Sequence, residues 1–244
     1  MSIKKLSAAL ALAFTTTAAT ADYRAEVGAA YFDFDGAEAI AFAGEFHFKP
    51  VETASHPLAE AAFLERSNNV SLLHSRTEIG PVDVNTTLAE VELYIPQAML
   101  YLAPFYTHAS AKFGGESASE NDWGVTVGLT PMEGFRVTTT YADDVDYELN
   151  LDVKYVLGLA NDTAINMEFG YADAPVSGMS DTVSAAADYY FDRTFSVGIA
   201  VADAEDTVYG VRTQKFFTEM FSAFASYDKA DDADQWMIGA SLRF

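Results

Sequence analysis

Hydrophobic and polar residues alternate at every second position along most of this chain, which is the repeat of a β-strand with one apolar face. The closing stretch shows it most compactly. Trp236, Ile238, Ala240, Leu242 and Phe244 alternate with Met237, Gly239, Ser241 and Arg243. A strand of about nine residues, tilted by roughly 45°, just crosses a hydrocarbon core of about 30 Å. An aromatic residue at each end suits the two interfacial girdles of a membrane barrel. These five apolar positions therefore read as the closing strand and assembly signal of such a barrel, to be taken up by the barrel-assembly machinery.

The same alternation predicts fourteen strands: 23 to 34, 38 to 48, 60 to 76, 86 to 95, 100 to 112, 122 to 130, 135 to 144, 146 to 158, 164 to 174, 181 to 192, 195 to 204, 207 to 217, 220 to 228 and 235 to 244. In the clearest, Tyr147, Leu149, Leu151, Val153, Tyr155 and Leu157 oppose Glu148, Asn150, Asp152 and Lys154. Asp35-Gly36 supplies the positive φ angles of a tight hairpin turn. Open sheet edges leave unpaired backbone groups that lipid cannot satisfy, so strands of this kind must close on themselves. The expected fold is an all-β, antiparallel, up-and-down transmembrane barrel of about fourteen strands, with twelve or sixteen as the neighbouring even closures. Fourteen falls towards the open end of the range between filled and water-filled barrels. Many inward positions are Gly, Ala or Ser, and no connection looks long enough to form a plug domain. The expectation is a narrow aqueous pore constricted by side chains more than by an infolded loop.

With both termini on the periplasmic side, most even-to-odd connections are brief, the exception being Lys49 to Ala59. The other side gathers acids: Asp33 and Asp35; Glu116, Glu120 and Asp122; Asp143, Asp144 and Asp146; Asp203, Glu205 and Asp206; and the run ending at Asp234. That rim should be strongly negative. At the N-terminus, Lys4 and Lys5 precede an apolar run from Leu6 to Phe14 and a small-residue segment ending Ala19-Thr20-Ala21. This predicts a secretory signal over 1–21, cleaved before Asp22, and one barrel domain over 22–244. The destination is then the bacterial outer membrane, reached through the periplasm. Absence of Cys excludes disulfides and a lipid-bearing N-terminal Cys. A formal net charge of −22 argues against nucleic acid as a partner. Half the residues are hydrophobic, too many for a disordered acidic chain.

Lys49-Pro50-Val51, followed by Pro57-Leu58-Ala59-Glu60-Ala61-Ala62-Phe63-Leu64-Glu65-Arg66-Ser67-Asn68-Asn69-Val70, resembles a motif of the general bacterial porins of marine and related Gammaproteobacteria. With the leader and the terminal Phe, the likeness runs along the whole chain. The resemblance implies an outer-membrane diffusion channel and supplies no catalytic residues.

Three constellations could carry chemistry. By parity the inward face presents Arg24, Glu26, Glu45, His47, Glu90, Glu92, Arg136, Glu148, Asp152, Lys154, Glu168, Asp188, Arg212 and Arg243. Opposed charges across a lumen select ions, and the excess of acids predicts mild cation preference. The bland alternative is that these groups only solvate the lumen and pair with one another. His108 and Ser110 share a strand face, and Asn121 from the next strand could orient the imidazole as in an activated serine. The spacing resembles that of outer-membrane phospholipases and lipid A deacylases, but Ala111 stands where those enzymes place Asn. Asp228, Asp231, Asp232 and Asp234 could hold a divalent cation through oxygen ligands, yet they lack EF-hand spacing and read better as a solvated loop. His47, His56 and His74 show no metal spacing. The function expected is a passive, cofactor-free pore for small hydrophilic solutes, a monomer with a trimer as alternative, in contact with membrane lipid and lipopolysaccharide. A lipid hydrolase or a non-conducting structural barrel are the readings from other classes.

Overall fold

The computed structural model describes residues 22–34, 36–143, 149–173, 180–231 and 233–244. Fourteen strands form one closed antiparallel barrel in which each pairs with its neighbours in sequence. The first seven are β1 (Tyr23–Phe34), β2 (Ala37–Val51), β3 (Asn69–Ile79), β4 (Val82–Ile95), β5 (Leu100–Phe113), β6 (Glu116–Leu129) and β7 (Phe135–Ala142). The remainder are β8 (Asn150–Gly158), β9 (Ala164–Ala172), β10 (Thr182–Asp192), β11 (Phe195–Asp203), β12 (Thr207–Phe216), β13 (Phe221–Lys229) and β14 (Asp234–Arg243). The ring closes between β1 and β14, in a register running from Glu26 opposite Arg243 to Phe34 opposite Gln235. Every backbone ladder is thereby satisfied without an edge, the condition for a sheet in lipid.

Alternation sorts the side chains. Val27, Phe42, Leu72, Phe169, Ile199, Val211 and Ile238 are exposed on the outer surface. Tyr106, Trp123, Tyr141, Tyr209 and Trp236 lie outside near the hairpin end, and Phe191, Phe217 and Phe244 near the end that holds both termini. These are two aromatic belts of the kind that ring a membrane barrel. Among the described residues no helix is long and apolar enough to cross a membrane. Gly36, at φ 83°, supplies the left-handed conformation of the β1–β2 turn, and Gly114 and Gly115, at 57° and 91°, that of β5–β6.

β4 and β6 begin at Val82 and Glu116, where 86 and 122 were expected, so Glu116, Glu120 and Asp122 lie on a strand and not in a connection. Two further features depart from the sequence expectation. The third strand was predicted over 60 to 76, but β3 begins at Asn69, and the residues before it form a 3₁₀ turn (Leu58–Glu60) running into a single helical turn, α1 (Ala61–Leu64). Pro57 lacks an N–H for a strand ladder and introduces the turn at φ −53°. Second, the connection 52–68 does not lie outside the barrel. Its Leu58 and Ala61 are buried, and Ala61 packs on Tyr23 and Val51 in one of the two small apolar clusters among the described residues. The expectation of a lumen without an infolded segment is therefore corrected: what could not be a domain is long enough to be a strap.

Candidate functional site

The strap crosses the bore. In a fourteen-strand ring β1 and β14 lie opposite β7 and β8, and 52–68 touches both sides, with Leu58, Glu60 and Ala61 buried between them. On one side the carbonyl of Leu58 accepts a hydrogen bond from Arg243 Nη1 at 2.8 Å. On the other, the Phe63 ring lies under the Arg136 guanidinium at 5.3 Å and the Lys154 ammonium at 4.9 Å. Between them Glu60, 5% exposed, gives one carboxylate oxygen to Tyr190 Oη at 2.7 Å and the other to Lys154 Nζ at 2.8 Å. At the β10–β11 turn the Arg193 carbonyl accepts from Leu58 N at 2.7 Å, while its guanidinium donates to the carbonyls of His56, at 3.1 Å, and Thr53. His56 is tied in turn to Glu65 at 2.8 Å.

The lumenal charges are arranged unevenly around the ring. One ladder row carries Arg243, Glu26, Glu45, Ser71 and Glu90 in succession, so β1, β2 and β4 form an acidic arc. Arg243 pairs with Glu26 at 2.6 Å and is held between the rings of Tyr23 and Phe216 at 4.3 and 4.5 Å. His47, fully buried, bonds Ser67 at 3.0 Å and comes within 3.4 Å of Glu45. Glu92 meets Arg136 at 3.3 Å and also takes bonds from Tyr101 and Asn69. Across the lumen runs a chain of alternating charge. Glu60 leads to Lys154, Lys154 to Glu168 at 3.5 Å, and Glu168 to Arg212 at 3.3 Å; Arg212 grips Asp188 through two bonds of 2.6 and 2.7 Å. Asn166 completes it by donating to both Asp188 and Glu168. Gly198 makes this possible, because a Cβ there would occupy the space of the Asp188 carboxylate. Glu90, Asp152 and Asp228 have no ion-pair partner among the described residues, whereas Arg136 and Arg243 each have one and Lys154 and Arg212 each have two.

Other predicted positions fall differently. Arg24 is exposed beside a register shift, and its neighbour Tyr23 is the residue that turns in against the strap. Glu148 lies outside the described residues, as do Asp35, Asp144, Asp146, Asp232 and residues 1–21, where the leader was expected. His108 and Asn121 do meet, Nδ1 to Oδ1 at 2.7 Å, but the same oxygen accepts from Tyr106 at 2.7 Å, and no hydrogen bond joins His108 to Ser110. Tyr106 is half exposed on the outer wall and the pair is exposed with it. The acidic run is divided. Asp228 faces the lumen beside Gly210, Asp234 takes a bond from Tyr227 on the outer wall, and Asp231 is in the turn between. Among the described residues no group of three or more potential ligands forms a metal site. In the closing strand, the terminal Phe244 carbonyl accepts from both Arg24 N and Ala25 N at 2.9 Å, and Ser241 bonds Ser222 inside the wall.

Residues 108–244 match the family described as "putative general bacterial porin". The chain belongs to that family. The match excludes the Lys49 to Val70 segment on which the sequence resemblance was drawn, so the porin signal resides in the later strands. Among solved structures, this porin superposes on the Acinetobacter baumannii outer membrane protein Omp33 with a TM-score of 0.74 and 24% identity, covering 91% of this chain and 99% of that one. The KdgM porin gives 0.48 and 9%, covering 90% and 99%. No curated protein matches it in sequence. The likeness is one of fold: a closed outer-membrane barrel.

Sequence reasoning missed Glu60, Phe63, Tyr190 and Arg193, the groups that seat the strap. Their roles exist only across the lumen, between residues 130 or more positions apart in the chain for Tyr190 with Glu60. One signal was present. The connection after β2 was the exception among brief connections on its side.

Proposed function

We propose that this porin is a passive channel for small hydrophilic solutes whose bore is gated at the end holding the termini by residues 52–68, and that it favours cations once the strap is displaced. The observation that carries this reading is the span of the strap from Arg243 on β14 to Arg136 and Lys154 on β7 and β8. Among the described residues the strap is tied to the wall by one ion pair, Glu60 to Lys154, by hydrogen bonds, by the cations over Phe63 and by the packing of Ala61, and these ties can break without unfolding the barrel. Cation preference follows from the acidic arc of Glu26, Glu45 and Glu90 and from the unpaired Asp152 and Asp228, since a narrow lumen concentrates counter-ions to its excess charge. Transport needs no cofactor and no covalent step, and the exposed His108 pair offers none.

The test is single-channel recording under a KCl gradient, with the native barrel compared with one in which 52–68 is replaced by a short Gly-Ser connection. The native protein should open rarely or in small steps, and the shortened one in large steps with a cation-selective reversal potential. Neutralising Glu90, Asp152 and Asp228 together should move that potential towards zero. Native steps as large as those of the shortened protein would remove the gate. Anion selectivity would show that other charges control the pore.

A further inference from the structure

We infer that the seat of Glu60 is a carboxylate-binding site, and that a small zwitterion bearing a carboxylate, of the amino-acid class, opens the channel by replacing Glu60 there. The inference rests on the gating role proposed for the strap. In the seated state the Glu60 carboxylate occupies a built site: Tyr190, 4% exposed, offers its hydroxyl at 2.7 Å, and Lys154 its ammonium at 2.8 Å. Neither donor comes from the strap. Both belong to the barrel wall, on β10 and β8, so both remain when the strap leaves, and Tyr190 Oη then has lost the acceptor it holds. A buried hydroxyl without an acceptor costs free energy, and an incoming carboxylate restores the bond. The strap's Glu60 thus stands in the position of a tethered ligand.

The approach to this seat selects the rest of the solute. Glu168, which contacts Lys154 at 3.5 Å, also borders a lumenal hollow of about 150 Å³ whose other polar lining includes Asp228 and Ser184. Small residues, Ala186, Ala200 and Gly210, keep this hollow open. Glu168 shares its charge with Lys154 and Arg212, whereas Asp228 has no cation partner among the described residues, so the hollow repels a dianion and attracts a solute that also carries an ammonium group. The arrangement therefore suits opposite charges on one small molecule: ammonium towards Glu168, carboxylate towards Lys154 and Tyr190 beside it.

Glycine is the probe, because as a zwitterion it leaves ionic strength unchanged and so does not loosen the ion pairs by screening. Glycinamide, which lacks the carboxylate and is therefore a monocation, is its control, with KCl lowered to hold the ionic strength constant. In planar bilayers glycine should raise the open probability of the native channel about tenfold, equivalent to about 1.4 kcal/mol, and glycinamide should leave it unchanged. Glu60→Gln should open without glycine and gain nothing from it. Calorimetric titration of the barrel lacking 52–68 supplies an independent reading: glycine should bind the vacant seat, and Lys154→Met in that background should abolish binding. If Glu60→Gln opens the channel but glycine neither opens the native protein nor binds the shortened one, the gate stands and ligand exchange is overturned. If glycinamide acts as well as glycine, the carboxylate is not what is recognised, and the inference also fails. If the native, Glu60→Gln and shortened proteins all conduct alike, the gate itself is wrong.

Discussion

Replacing Arg243 with Met tests the central joint of the molecule. Its side chain and that of Glu26 are 5% and 22% exposed, and their contact of 2.6 Å is the only ion pair of either among the described residues. Removing one partner of a buried pair costs about 3–5 kcal/mol, because the other charge is left without compensation. A lumen that admits water places this case near the low end, about 3 kcal/mol. The Leu58 carbonyl loses its donor, adding about 1 kcal/mol, and loss of the guanidinium between Tyr23 and Phe216 adds about 0.5–1 kcal/mol per ring. Met keeps much of the apolar stem, so the combined loss should be about 4 kcal/mol, the separate terms being less than additive. Urea unfolding in lipid vesicles, followed by the gel shift between folded and unfolded barrel, measures it. Adding Glu26→Gln to Arg243→Met should restore about 2 kcal/mol by removing the orphaned carboxylate. Arg243→Lys, which keeps the charge and loses the planar fork, should fall between native and Met. A loss below about 1 kcal/mol, or a double variant no better than the single one, would refute the view that this pair is buried strongly enough to anchor the strap.

Three further outcomes are expected. Gly198→Ala should force the Asp188 carboxylate from its place against the wall and cost about 1–3 kcal/mol, measured by the same unfolding assay, while Gly44→Ala, with nothing within 4 Å of the added Cβ, should stay within about 0.5 kcal/mol of native. Raising KCl to about 1 M shortens the screening length to about 3 Å, so the open probability of the native channel should rise more steeply with salt than that of the barrel lacking 52–68; parallel responses would mean that ion pairs do not hold the strap. Ser110→Ala should match the native protein in a lipid-ester hydrolysis assay, both at background, since His108 hydrogen-bonds Asn121 and not Ser110.

The alternation of apolar and small or polar residues located the strands well because the lipid face is a continuous requirement, enforced at every second residue across the whole membrane. β11 and β14, for example, lie within a residue of their expected ends. Where the requirement lapses, so does legibility. Residues 61 to 64 are four apolar residues in a row with no alternation to read, and a helical turn as short as α1 has too few positions to display its own period. What decides its conformation is supplied by Arg243, Lys154 and Tyr190, far away in the chain. The inward charges could be named by parity, with Arg24 misplaced where the register shifts at Tyr23. Their pairing could not, since the Arg212–Asp188 grip depends on Gly198 being empty on the strand between.

The position of the strap's anchor on the two strands that close the ring has a consequence for biogenesis. Arg243 belongs to the last strand to be made, and its ion-pair partner Glu26 to the first, so the donor that holds the Leu58 carbonyl is not fixed in place until the ends of the barrel have met. On the gating role proposed for the strap, its anchor and the seam of the barrel are completed in the same event.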